Sequence, residues 1–195
     1  DCLALPGSAD PIELHLAPLS EQDTQALVRA ILHKAQDLSS ALVTSIARLA
    51  SGVPHIAVEA IYELIDSKVI RVEEERWFID ASAQETVHLP ESAEQLFRDR
   101  VERLTPDQRD LVEIAAVAGD IFWPDLLAAM ASSPIKQRDI EGLVARGFFK
   151  AKPNAMVDGT QGYGFSQFAM AESVYRNTPP NKRRAVHGSI ANWLE

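Results

Sequence analysis

The residues that could do chemistry in this chain are few and scattered. Covalent catalysis needs a serine or cysteine beside a base that takes its proton, and general acid–base work needs a carboxylate pair in an apolar pocket. No spacing here sets up either. The five histidines, His15, His33, His55, His88 and His187, stand apart, and none falls in an HExxH or comparable metal-binding pattern. Cys2 is the only cysteine, so an internal disulfide is excluded, and no Cys or His at ligand spacing accompanies it. Gly159, Gly162 and Gly164 form a glycine-rich patch. A Walker loop, however, needs G-x-x-x-x-G-K-[ST] between a strand and a helix, so that backbone amides and a lysine meet phosphate oxygens. The lysine is missing, and these glycines fall between two β-prone runs, where a turn is the simpler use.

Three local patterns remain. Gly52, Val53 and Pro54 read structurally as a helix stop followed by a helix start, or functionally as a nucleotide-sensing element whose proline ring packs on an adenine face. Lys136, Gln137 and Arg138, with Arg146 and then Lys150 and Lys152, are residue types that contact DNA, diluted by Asp139 and Glu141. Lys182, Arg183 and Arg184 form a short basic run at an expected helix start.

The elements that would position these residues are mostly helices. Alternation around Ile12, Leu14 and Leu16 suggests a short strand running to Pro18. Ser20 then caps a helix to about Ala35, with Asp23 placed for a capping box. A second helix starts near Ser39 and stops at Gly52, and Pro54 opens a third. Val69 to Val72 and Trp77 to Ile79 read as a hairpin, followed by a polar connector over 81–88 that marks a subdomain boundary. Pro90 is expected to open the next helix, and Thr105 with Pro106 the one after, which stops at Gly119. Further helices are expected at Trp123 to Ala131 and Lys136 to Arg146. A hairpin of Phe148 to Ala151 with Tyr163 to Ser166 follows, and then helices at Phe168 to Arg176 and Asn181 to Leu194. Helix, helix-turn-helix and hairpin in order is a winged-helix pattern.

Bulk composition bounds the answer. The 195 residues are 46% hydrophobic and 24% charged, enough apolar material for a packed core and consistent with two compact subdomains. A net charge of -9 argues against a broad nucleic-acid surface, which needs a concentrated basic face. No run approaches the roughly 18 uncharged apolar residues of a membrane helix. No basic region followed by an apolar core and cleavage site opens the chain, so the cytoplasm is the expected location.

Five blocks in order carry a family resemblance: LHLAPLS from Leu14, GVPHIAVEAI from Gly52, the hairpin ending in Arg76 and Trp77, the long block from Leu89 to Phe122, and YGFSQ through VYRN into RRAVHGSIANWLE. From about Ile12 onward the chain resembles the region that follows the nucleotide-binding core in STAND-class AAA+ ATPases, as in bacterial LuxR-type regulators and in fusions with adenylate cyclase or serine/threonine kinase domains. It departs from the family at two places. Ser166 and Gln167 follow Phe165 where the family usually has Arg-His, and Val53 stands where it has asparagine between Gly and Pro.

The resemblance implies a mainly α fold: the end of an ATPase core over 1–19, a small helical lid bundle with a β-hairpin over 20–88, a winged-helix domain over 89–176, and over 177–195 the start of a C-terminal helical repeat. It implies a regulatory, signal-transducing segment that is not an enzyme by itself and carries no cofactor alone. ATP or ADP would be held by an upstream core, with Gly52 and Pro54 the nucleotide-proximal residues. The implied partners are that core and a downstream helical repeat or effector domain, with no membrane. Two alternatives are a DNA-binding transcription factor that uses Lys136, Gln137, Arg138, Lys150 and Lys152, and a protein-interaction scaffold built from Ile190, Trp193 and Leu194.

Overall fold

The computed structural model describes residues 15–73, 76–157 and 159–194. Among these the fold is mainly helical, with two small sheets. The expected strand around Ile12 falls largely outside the described residues, and its described end, from His15, is not a strand.

The first helix, α1 (Glu21–Ile31), starts where the Ser20 hydroxyl accepts from the Asp23 amide. It stops four residues short of expectation because Ala35–Gln36 is drawn off as a two-residue strand, β1. A second serine cap, Ser39, opens α2 (Ser40–Ala50), and Pro54 is the first residue of α3 (Pro54–Asp66). Strands β2 (Ile70–Glu73) and β3 (Arg76–Ile79) form the expected antiparallel hairpin, and β1 lies parallel to β3 with Ala35 opposite Trp77. The connector is not wholly irregular. Asp80 accepts from the amides of Ser82 and Ala83 and caps α4 (Ala81–Thr86).

The next helix, α5 (Ala93–Glu102), begins at Ala93 instead of Pro90, because the Ser92 hydroxyl accepts from the Gln95 amide and fixes the start there. A full capping box between Thr105 and Gln108 opens α6 (Pro106–Ala118). Then come α7 (Pro124–Met130), α8 (Gln137–Ala145), the hairpin β4 (Phe149–Val157) with β5 (Thr160–Phe165), α9 (Phe168–Asn177) and α10 (Pro180–Leu194). The second hairpin is longer than expected, with a register break between Lys152 and Met156, and Tyr163 also bridges to Phe122. Phe122, Phe149 and Phe165 meet edge to face beneath it, with centroids 4.8 to 6.3 Å apart.

One cluster of buried apolar residues runs from α1 through α3, α5 and α6 to α9, and α10 adds Val186 to it. Where α3 meets α5 and the end of α8, that apolar packing gives way to charge.

Candidate functional site

Gly52 and Pro54 sit together but do different things. Gly52 is buried at φ +79°, and its carbonyl accepts from the Leu19 amide at 2.9 Å. A Cβ there would lie 2.8 Å from the Pro18 Cβ and closer still to the Leu19 carbonyl oxygen. The glycine is therefore required by conformation and by the close approach of the Pro18–Leu19 backbone. Pro54 is exposed on the first turn of α3, where its missing N–H costs nothing.

The candidate DNA-contacting residues divide into two groups. Lys136, Gln137 and Arg138 are exposed at the start of α8, with the Asp139 carboxylate accepting from the Lys136 amide. Lys150 and Lys152 lie past the other end of this nine-residue helix, which spans about 13 Å at 1.5 Å per residue. The Lys150 ammonium donates to the Ser166 carbonyl at 3.1 Å, so it already serves its own hairpin. The basic run at the start of α10 is also engaged. Lys182 binds Asp110 at 2.5 Å and Glu113 at 2.6 Å on α6, and the Arg183 guanidinium lies 4.8 Å from the Tyr175 ring centroid.

The densest chemistry is a cluster that residue spacing did not single out. Glu59, Glu63 and Asp66 project from α3 at i, i+4 and i+7, the spacing of one helix face. Opposite them Arg100 of α5 is wholly buried, at 0% exposure, and donates to the Glu59 carboxylate and to the Arg146 carbonyl at the end of α8. Its Nε lies 3.7 Å from Asp66 Oδ2, an ion pair too long for a hydrogen bond. The guanidinium packs against Tyr62, 5.1 Å from its centroid, and Phe148, 4.6 Å from its centroid. Arg146 closes the circuit, reaching Asp66 at 3.0 Å and Gln108 at 3.4 Å. Arg103 pairs with Glu63 at 2.7 Å on the rim. Gly147, at φ +74°, lets the chain turn beneath the Tyr62 ring, 2.6 Å from where a Cβ would stand.

Burial dominates the electrostatics of this cluster. It pushes the Glu59 carboxyl up to about 7 against the opposing pull of Arg100, and it raises Glu63 against that of Arg103. Glu63 Oε2, Asp66 Oδ2 and Arg100 Nε are buried without a hydrogen-bond partner. The sequence carried a usable signal: charged residues at 59, 63 and 66 interrupt the face that Ile56, Ala60 and Leu64 give α3, and a charge among buried positions demands a partner.

The Lys182 site carries a stability prediction. Burial works to raise Asp110, but hydrogen bonds from Lys182 and Ser132 outweigh it and hold the carboxyl below its ordinary value. Burial likewise works to lower Lys182, and its two carboxylates outweigh that and raise it. Lys182→Met should cost about 1.5–3 kcal/mol at pH 7 in a urea titration, the range for hydrogen bonds to charged groups. Because the Asp110 carboxyl is depressed on folding, its contribution is present above the ordinary carboxylate value and lost as pH falls through the lowered one. The gap between wild type and variant should therefore narrow in acid.

Comparison with protein families, curated proteins and solved structures finds no match to this chain. Among the described residues, no group of three or more His, Cys, Asp or Glu could hold a metal ion, and no helix is long and apolar enough to cross a membrane.

Proposed function

We propose that this chain is the regulatory lid and winged-helix segment of a STAND-type signal-transducing ATPase. On this reading it closes over ATP or ADP held by a core that precedes it and relays activation. The carrying observation is the order of the elements: three helices and a hairpin (α1 to β3), then three helices and a hairpin (α6 to β5), joined through α5 and the Arg100 cluster. In this reading α1 to α3 are the lid, α6 to α8 the winged-helix trihelical core, β4–β5 the wing, and α10 the first helix of a repeat. Gly52 supports it by holding the incoming Pro18–Leu19 backbone against the start of α3, where Pro54 would face nucleotide. The winged helix would then move as a rigid body in switching.

The test compares two preparations. The 195-residue chain alone should hydrolyse no ATP. A longer chain carrying the preceding sequence should bind ADP, and Pro54→Ala should weaken that binding about fivefold, the equivalent of one lost apolar ring contact. Robust turnover by the 195-residue chain would sink the proposal. Duplex DNA binding that falls steeply with salt and is abolished by Arg138→Glu would replace it with the DNA-reading alternative, for which Lys136, Gln137 and Arg138 are suitably exposed.

A further inference from the structure

A hollow of about 260 Å³ opens where α5, α6 and α9 meet, and it shares no lining residue with the Arg100 cluster. Its volume falls just under the roughly 300 Å³ at which drug-sized sites begin, which suits a single small metabolite. The floor is apolar: Phe97 and Val101 stand one helical turn apart on α5, and Val174 of α9 joins them. Around it stand two arginines and two glutamates, so the charged lining sums to zero.

Two of these four charges are committed. Arg109 donates to the Val101 and Glu102 carbonyls and so closes the end of α5, and Glu113 accepts from Lys182 at 2.6 Å. The Asn177 side-chain amide is likewise occupied, donating to the Ser173 carbonyl of its own helix. Arg98 and Glu102 are different. They lie one turn apart on α5, yet Arg98 turns back to Glu94 at 3.7 Å, because acid before base is the favoured order along a helix. That pair is weak, its side chains being 44% and 55% exposed. Among the described residues the Glu102 carboxylate has no hydrogen bond or ion pair, and it stands at the last position of α5, where the helix dipole disfavours an anion.

We propose that this hollow binds a free α-amino acid with an apolar side chain. Arg98 and Glu102 are separated by about 6 Å along the helix axis, so Arg98 takes the carboxylate and Glu102 the ammonium of one small molecule. The side chain then lies on Phe97, Val101 and Val174. A lining without net charge selects for a zwitterion: a dianion would meet Glu102 and Glu113, and a dication would meet Arg98 and Arg109. The assignment does not depend on whether the chain serves an ATPase.

Amide chemical-shift mapping of the full chain during titration with L-leucine tests it. The amides of residues 97–102 and 173–177 should shift and saturate, with a dissociation constant of about 1 mM or tighter. 4-Methylpentanoate, which lacks the ammonium, 3-methylbutylamine, which lacks the carboxylate, and glycine, which lacks the side chain, should each bind about tenfold more weakly or worse. Arg98→Gln and Glu102→Gln change exposed side chains, so the fold should persist, as unshifted amides of α2 will report. Each should weaken leucine binding by about tenfold. The proposal is overturned if leucine gives no saturable shift at these residues, if either singly charged analogue binds as well as leucine, or if either variant binds leucine as the unaltered chain does.

Discussion

Arg100→Ala should lower the unfolding free energy by about 3–5 kcal/mol, the cost of removing one member of a buried ionic cluster. The loss does not come mainly from the missing attraction. It comes from leaving Glu59 and Asp66 in a buried site from which the cation has gone, together with the cavity between the Tyr62 and Phe148 rings. In a chain of 195 residues each kcal/mol moves the melting midpoint by roughly 2–4 °C, so the shift is readily resolved. Arg100→Lys should recover little, because one ammonium cannot reach the Glu59 carboxylate, Asp66 and the Arg146 carbonyl together while packing against the Tyr62 and Phe148 rings. Arg100→Met combined with Glu59→Leu should cost less than Arg100→Ala alone, since it removes charge from both sides of the junction. A loss under about 1 kcal/mol for Arg100→Ala would mean that water enters the site and the cluster is not closed.

This cluster marks the boundary between what the sequence discloses and what it does not. Local chemistry was legible. Ser20 and Thr105 cap the helices they were expected to cap, the second helix starts next to Ser39 as expected, and Pro54 and Pro106 stand at first helical positions, because each interaction is completed within three or four residues. Where two local signals compete, spacing alone misleads. Pro90 is compatible with a helix start, yet the Ser92 hydroxyl satisfies a free amide and wins. Non-local pairing was out of reach. Ala35–Gln36 becomes a strand only because Trp77–Phe78 lies beside it, and nothing within the α1 segment encodes that. The candidate sites divide the same way. The need for glycine in the turn at Gly52 is local, whereas the approach of Pro18–Leu19 to it, the capture of Lys150 by Ser166 and the convergence of residues 59, 66, 100 and 146 depend on contacts across the chain.

Gly52→Ala should be the second large effect, and it bears directly on how the segment before α1 is held. Placing an L-residue at φ +79° costs about 1–2 kcal/mol by itself. The new Cβ would also run into the Pro18 side chain and the Leu19 carbonyl, and backbone cannot rotate out of the way as a long side chain can. The chain must then strain the turn after α2 or release Pro18–Leu19, giving up the Leu19-to-Gly52 hydrogen bond, worth about 1 kcal/mol. Gly159→Ala is the matched control, because Gly159 has nearly the same φ, +82°, but no atom within 4 Å of its would-be Cβ. Both variants carry the conformational cost, and only Gly52→Ala should also open the chain near Leu19 to limited proteolysis. Equal stability losses with no new cleavage would show that the glycine serves the turn alone. A larger loss with cleavage at Leu19 would show that the α2–α3 corner is the seat on which the preceding segment is fixed.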